Sequence, residues 1–129
     1  MTEKDLINYW QKTAADALKT AEGLFKLKRY HHCLFFCHLA LEKLIKGLVF
    51  KKKKRHAPPI HNLKKLIIKH ARVSLSPKQV KDFEEISSWN IRARYDNIKQ
   101  EFYKKSTKQF TTVWFKKVKE YYKWLKNQY

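Results

Sequence analysis

Glycine and proline are scarce in this chain of 129 residues, with only two and three copies respectively. Sandwiches and barrels need a turn residue about every ten positions, so this scarcity argues against an all-β fold and favours long helices with few connections. Hydrophobic residues make up 43% of the chain, with four Trp, seven Tyr and eight Phe, which is enough for a core and argues against disorder. We therefore predict an all-α fold, formed by a single domain over residues 1–129.

Long apolar runs are also absent. No stretch approaches the roughly 18 apolar residues that a membrane span needs. The first residues, Met1 to Asp5, lack the basic region and apolar segment of a signal peptide. We expect a soluble, cytoplasmic protein that does not engage a membrane.

Acidic residues are few compared with basic ones. Thirty Lys and Arg against eleven Asp and Glu leave a formal net charge of +19, whereas a magnitude of about 2 to 8 suffices for the solubility of a small domain. An excess of this size favours an anionic partner such as RNA or a nucleotide. A genome or a growth temperature that favours lysine would produce the same excess without a functional cause, so charge alone leaves both interpretations open.

The only two cysteines, Cys33 and Cys37, lie four residues apart in a helical pattern. Both thiols should face the same side of one helix and be buried as small hydrophobic groups. This spacing differs from the Cys-x-x-Cys knuckle of zinc sites. Although His31, His32 and His38 are close in sequence, we predict no metal site and no cofactor.

Apolar residues recur at steps of three and four in several segments, which predicts helices. A helix beginning near Tyr30 carries apolar residues almost all round and should lie at the centre of the fold. Three other helix starts are indicated by capping boxes, in which a Ser or Thr precedes an acidic or amide residue by three positions. These pairs are Thr2 with Asp5, Ser76 with Gln79, and Ser106 with Gln109.

The remaining segments lack such a pattern or break it. Lys51 to Arg55 is a run of five basic residues before Ala57-Pro58-Pro59, which cannot continue a helix, so a solvated loop is predicted to begin there. His61-Asn62 opens a short helical segment. Residues 90–105 show no apolar periodicity and are interpreted as irregular. The chain should therefore form an up-and-down bundle of four to five helices.

Three sequence blocks together resemble the HEPN family, over nearly the whole chain. They are Trp10 to Ala17, His38 to Leu48, and Pro58 to Leu63, which contains Pro-Pro-x-His-x-Leu. The middle block carries the family's helix-two pattern of an Ala, a Glu-Lys pair and a second Lys three residues on. Arg94-Tyr95-Asp96 is similar to the family's Arg-Tyr-Pro-Asp element, with the Pro missing.

The resemblance implies a helical bundle, frequently a homodimer, often encoded with a small nucleotidyltransferase as a toxin and antitoxin pair. Other members are metal-independent ribonucleases, in which an Arg is followed after four to six residues by a His near the start of the last helix. No His follows His70, so Arg92 and Arg94 both lack that partner. Arg55 and His61 match the bare spacing but lie in a different loop, and we interpret this match as coincidence.

Phosphate binding needs fixed cations and, for bases, an aromatic face. Arg92, Arg94 and Tyr95 offer both, although Tyr95 could equally fill the core. If the second helix of the HEPN fold lies beside this segment, its cations would extend the basic surface. The additional candidate phosphate ligands are Lys43, Lys46, Lys52, Lys53 and Arg55.

Cleavage of RNA needs a base, an acid and a cation for the charged phosphorane. The candidates are Arg94, Asp96 and His61, although Asp96 could instead pair with Arg94 and His61 could cap the third helix. Glu42 could be a site residue or the i+4 partner of Lys46. We predict a domain that binds nucleotide or RNA phosphates and a protein partner; the alternative is a ribonuclease with a non-standard site.

Overall fold

The computed structural model describes residues 1–94 and 96–129 and contains, within them, six helices and no strand. The all-α fold class is thereby confirmed. The helices are α1 (Glu3–Lys26), α2 (Tyr30–Lys53), α3 (Leu63–Lys65), α4 (Pro77–Arg92), α5 (Asp96–Lys105) and α6 (Lys108–Lys126).

Two of the three predicted capping boxes are present. Thr2 Oγ1 accepts a hydrogen bond from the Asp5 amide, and the Asp5 carboxylate accepts one from the Thr2 amide in return. Ser76 and Gln79 make the same reciprocal pair before α4. Each pair satisfies N–H groups that have no partner inside the first helical turn.

Helix α2 is the centre of the fold and contacts every other helix. It is buried on nearly all sides, as its all-round apolar sequence predicts, and both cysteines lie in the core. Burial, followed by the neighbouring Cys33, raises the pKa of the Cys37 thiol. Both buried cysteines act as packing groups, and the raised pKa makes the Cys37 thiol a poor nucleophile.

Helices α1 and α2 approach each other closely because small residues line their contact. Ala14, Ala17 and Ala21 are buried on α1. On α2, a Cβ atom placed on Gly47 would lie 2.5 Å from Cβ of Trp10. A glycine is therefore required where α2 passes Trp10.

Helix α3 is a single turn that continues into a π-helical turn, Leu66–His70, closed by the Ala71 amide donating to the Leu66 carbonyl at 2.8 Å. Asn62 caps α3 by accepting from the Lys65 amide at 3.0 Å. The cap is thus Asn62, not His61, and the His61 side chain remains available for another contact.

The basic run was predicted to be a loop, but its first half is helical. Helix α2 extends to Lys53, and Lys54 ends it in a left-handed conformation with φ of 58°. Cations are favourable in the last turn of a helix because they face the negative end of its dipole. The loop therefore begins later than the charge pattern indicates.

The prediction of an irregular segment over residues 90–105 was wrong in two places. Helix α4 continues through Arg92, and residues 96–105 form α5. Of the large apolar side chains on α5, Phe102 is buried, whereas Ile98 and Tyr103 are exposed. Because a single buried residue produces no periodicity, the helix leaves little trace in the apolar pattern.

The start of α6 is also shifted by one residue. Thr107 rather than Ser106 is the cap, and its hydroxyl accepts from the Phe110 amide at 3.2 Å. The buried Ser106 hydroxyl instead donates to the Phe102 carbonyl at the end of α5. Within the described residues, none of the helices combines the length and the apolar character needed to cross a membrane.

Candidate functional site

A polar network lies in the middle of α2, where apolar packing would be expected. His38, Glu42 and Lys46 follow one another at four-residue steps and so share one face of the helix. The Glu42 carboxylate is 2.8 Å from Nδ1 of His61, 3.1 Å from Nζ of Lys46 and 3.7 Å from Nε2 of His38. The i+4 pairing of Glu42 with Lys46 is confirmed, and His61 joins it from the loop before α3.

The acceptors in this network fix the ring tautomers. A carboxylate only accepts, so Nδ1 of His61 donates to Glu42, and Nε2 of a neutral His61 ring is left as an acceptor. The His61 carbonyl likewise only accepts, so Nε2 of His38 donates to it at 3.1 Å. Nδ1 of His38 is buried without a hydrogen-bond partner in the described part of the chain. Side chain and backbone of His61 are thus both held by α2.

Burial and charge act in opposite directions on the two buried groups. Burial raises the pKa of Glu42, but the hydrogen bond from His61, the neighbouring His38 and the charge of Lys46 outweigh it, and the net shift is downward. Burial lowers the pKa of His38, with Arg94 contributing to the fall. The network therefore holds an ionised Glu42 beside a neutral His38 at neutral pH.

A pocket of about 470 Å³ adjoins His61, between the start of α3 and helix α4. The His61 side chain is 47% exposed, in contrast to the 9% of Glu42, so its ring reaches solvent while its partner does not. This is the arrangement of an imidazole oriented by a shielded carboxylate. The pocket is lined by Ile60, His61, Asn62, Lys65, Glu84, Ser87, Ser88, Asn90 and Ile91.

The predicted cations at the end of α4 have different environments. Nη1 of Arg92 is 3.4 Å from the Glu85 carboxylate, which also accepts from the Trp89 indole and lies 3.7 Å from Nζ of Lys105. Arg94 is exposed, and its positive charge contributes to the lowered pKa of His38. Tyr95 and the side chain of Asp96 lie outside the described residues, so the ion pair of Asp96 with Arg94 stays a prediction.

The predicted cations of α2 and its loop do not form one patch. Lys46 is paired with Glu42, Lys43 lies 5.9 Å from the ring centre of Trp10, and Nζ of Lys52 donates to the Ala71 carbonyl. Lys53 and Arg55 instead line a second pocket, of about 310 Å³, at the end of α2. The other residues lining it are Val49, His56, Pro58 and His70.

Sequence reasoning missed several residues of the Glu42 network and of the two pockets. His38 was interpreted as part of a family block, yet its four-residue spacing from Glu42 was a signal that both share a helix face. His56 stands next to Arg55 in sequence and could have been grouped with it. Nothing in the sequence brings His70 or Asn90 to a site, because only folding places them beside the loop of residues 54–62.

The fold and these sites define a basic all-α domain with an ionised network on its central helix. A family profile described as the HEPN domain matches residues 7–128. The match covers nearly the whole chain, and the chain therefore belongs to the HEPN family. HEPN domains have nucleotide- and RNA-related roles and are often dimeric. Comparison with curated proteins and with solved structures gives no significant match.

Proposed function

We propose that this chain is a single helical domain that binds nucleotide or RNA phosphates. The observation that carries the proposal is the pocket at the end of α2. Lys53, Arg55, His56 and His70 all line it, and among the described residues no carboxylate forms an ion pair with any of them. A concave site with two uncompensated cations, Lys53 and Arg55, and two imidazoles beside them is suited to an anion with several oxygens, such as a phosphate.

The pKa of His70 supports this proposal. Burial is the largest cause of the lowered pKa of His70, and the positive charges of Lys53, Lys69 and Lys65 lower it further. Of these lysines, Lys53 lines the pocket, and the positive charge around His70 disfavours one more proton on its ring. A bound phosphate would offset that repulsion and favour the protonated, hydrogen-bond-donating form of His70.

Binding of a labelled single-stranded RNA, followed by fluorescence anisotropy over a range of salt concentrations, tests the proposal. Lys53→Ala with Arg55→Ala should weaken binding about tenfold or more, because charge-assisted hydrogen bonds are lost. The slope of log K against log salt should fall by about 0.7 for each lost phosphate contact. Lys78→Ala with Lys81→Ala, on the exposed side of α4, is the control that removes the same charge. Equal losses in both double variants would contradict a specific phosphate pocket.

We further propose that the chain works with a nucleotidyltransferase in a toxin–antitoxin-like module and forms a homodimer. The support is the family's frequent dimerisation together with the resemblance described above. Light scattering should give about twice the 15.7 kDa chain mass, and co-expression with a nucleotidyltransferase encoded beside it should yield a complex. A monomeric mass over the whole concentration range would contradict the homodimer.

A metal-independent ribonuclease is the second candidate function, and the oriented His61 favours it. Nε2 of a neutral His61 can accept the 2′-hydroxyl proton, while Arg94 can stabilise the charged phosphorane. RNA incubated with chelator should then be cleaved by the unmodified chain and not by His61→Ala or Arg94→Ala. Absence of cleavage, or cleavage that survives both changes, would remove this candidate and leave phosphate binding intact.

A further inference from the structure

Three ring-bearing side chains, His31, His32 and Tyr103, form an aromatic cluster at the surface, where the start of α2 meets α5. The centres of the His31 and His32 rings are 3.9 Å apart, and the Tyr103 ring meets His31 edge to face at 5.0 Å. Tyr103 is 64% exposed, and His32 is exposed as well. The neighbouring Phe102 is the large apolar side chain that α5 buries in the core, so Tyr103 is not a core residue. The fold therefore leaves aromatic surface open to solvent here.

Cations surround the aromatic cluster. Within the described residues, no carboxylate forms an ion pair with the nearby Arg29, Lys99 or Lys104. Burial is the largest cause of the lowered pKa of both histidines in the cluster, and the positive charges of Lys99 and Arg29 lower it further. Both imidazoles are therefore neutral rings at neutral pH, beside uncompensated positive charge. A concavity of about 460 Å³ at the cluster is lined by His31, Lys99, Gln100, Tyr103 and Lys104.

The aromatic cluster and the proposed phosphate pocket lie at opposite ends of α2. His31 is in the first turn of the helix and Lys53 is its last residue, so about 33 Å separates their backbones at a rise of roughly 1.5 Å per residue. The same interval is about six turns of roughly 3.6 residues, so the two side chains leave α2 on the same face. His38 and Glu42 lie between them on that face, which places the polar network between the two ends.

This arrangement suits a polymer better than a mononucleotide. Proteins that bind single strands combine a positively charged surface, which follows the backbone, with aromatic rings on which unpaired bases stack. Bases within a duplex are stacked on one another and do not reach such rings. A separation of about 33 Å corresponds to roughly ten nucleotides at the spacing of a helical strand, and to fewer in an extended one.

We propose that the aromatic cluster stacks an unpaired base of single-stranded RNA, while the pocket at the end of α2 holds phosphates of the same strand. Tyr103 supplies the exposed ring, and Lys99 and Lys104 bind the adjoining backbone. Binding at one end raises the effective concentration of the strand at the other, so the two contacts together bind more tightly than either alone. The inference rests on the proposed phosphate binding; it adds a second contact and restricts the ligand to a single strand.

Fluorescence anisotropy with a labelled oligouridylate of about 12 nucleotides, which spans both ends at the helical spacing, tests the stacking contact. Tyr103→Ala should weaken binding about tenfold, the order of loss expected when one base loses its stacking partner. Tyr103→Trp should keep the affinity because it keeps an aromatic face. Tyr9→Ala is the matched control and should bind normally. Tyr9 is 48% exposed on α1 and borders another concavity together with Lys12 and Lys19.

Two further ligands separate the base from the phosphates. An abasic ribose-phosphate oligomer of the same length should bind equally well to the unmodified chain and to Tyr103→Ala. Lys53→Ala with Arg55→Ala should weaken the binding of both oligomers. A uridine trinucleotide is too short to reach both ends, so the gain in affinity from the trinucleotide to the long oligouridylate should be smaller in Tyr103→Ala than in the unmodified chain.

Unchanged oligouridylate binding by Tyr103→Ala would overturn the aromatic contact, while a loss in the Lys53 and Arg55 double variant would still support the phosphate pocket. Equal losses of Tyr103→Ala for the oligouridylate and the abasic oligomer would also overturn it, as would tighter binding of an RNA duplex than of the single strand. If the unmodified chain binds no RNA at low salt, phosphate binding itself fails. Should Tyr103→Ala not fold, judged by circular dichroism, His32→Ala at an exposed position decides by the same comparison.

Discussion

Replacing Glu42 with glutamine should destabilise the protein by about 2–3 kcal/mol. The change keeps the shape but removes the charge that Lys46 faces at 3.1 Å and His61 at 2.8 Å. Removing one partner of a buried ion pair costs about 3–5 kcal/mol; the value here is lower because His61 is half-exposed and can be rehydrated. In a chain of this length, the loss corresponds to a fall in Tm of roughly 8–12 °C.

Urea denaturation at neutral pH measures this loss, with Glu84→Gln as the matched control. The Glu84 carboxylate is 54% exposed and lies 3.6 Å from Lys64, so its removal should change the free energy of unfolding by less than about 0.5 kcal/mol. A double-mutant cycle of Glu42→Gln with Lys46→Met should give a coupling of at least about 1 kcal/mol. The reasoning is refuted if Glu42→Gln costs no more than Glu84→Gln.

Two further predictions concern packing and pH. Gly47→Ala should destabilise the protein by about 1–3 kcal/mol because the new Cβ would lie 2.5 Å from Trp10 and Tyr129 atoms. Gly23→Ala meets nothing within 4 Å and should stabilise α1 by up to about 1 kcal/mol; thermal melting compares them, and equal effects would contradict the packing argument. Because burial lowers the pKa of His38 in the folded protein, the unfolded chain takes up a proton at His38 at a higher pH than the folded chain does. The free energy of unfolding should therefore fall as the pH drops below 6.5. His38→Gln should flatten this fall in urea titrations between about pH 7.5 and 5; an unchanged slope would show that His38 does not cause it.

The helical framework follows largely from local sequence. The reciprocal bonds of Thr2 with Asp5 and of Ser76 with Gln79 depend on side chains three residues apart, so a capping pattern suffices to predict them. Helix α5 escaped prediction because, of its apolar side chains, Phe102 is the one the core buries. A helix that buries one large apolar side chain shows almost no apolar periodicity in its sequence.

The candidate sites depend partly on local sequence and partly on contacts between distant segments. Composition and helical periodicity by themselves determine a basic, all-α chain, and the four-residue spacing determines that Glu42 and Lys46 pair. Only the tertiary structure decides that His61 completes this network, that His56 and His70 join Lys53 and Arg55, and that Asn90 lies at a pocket. These residues come from segments far apart in sequence, and the burial that gives Glu42 its chemistry exists only once the helices have packed around α2.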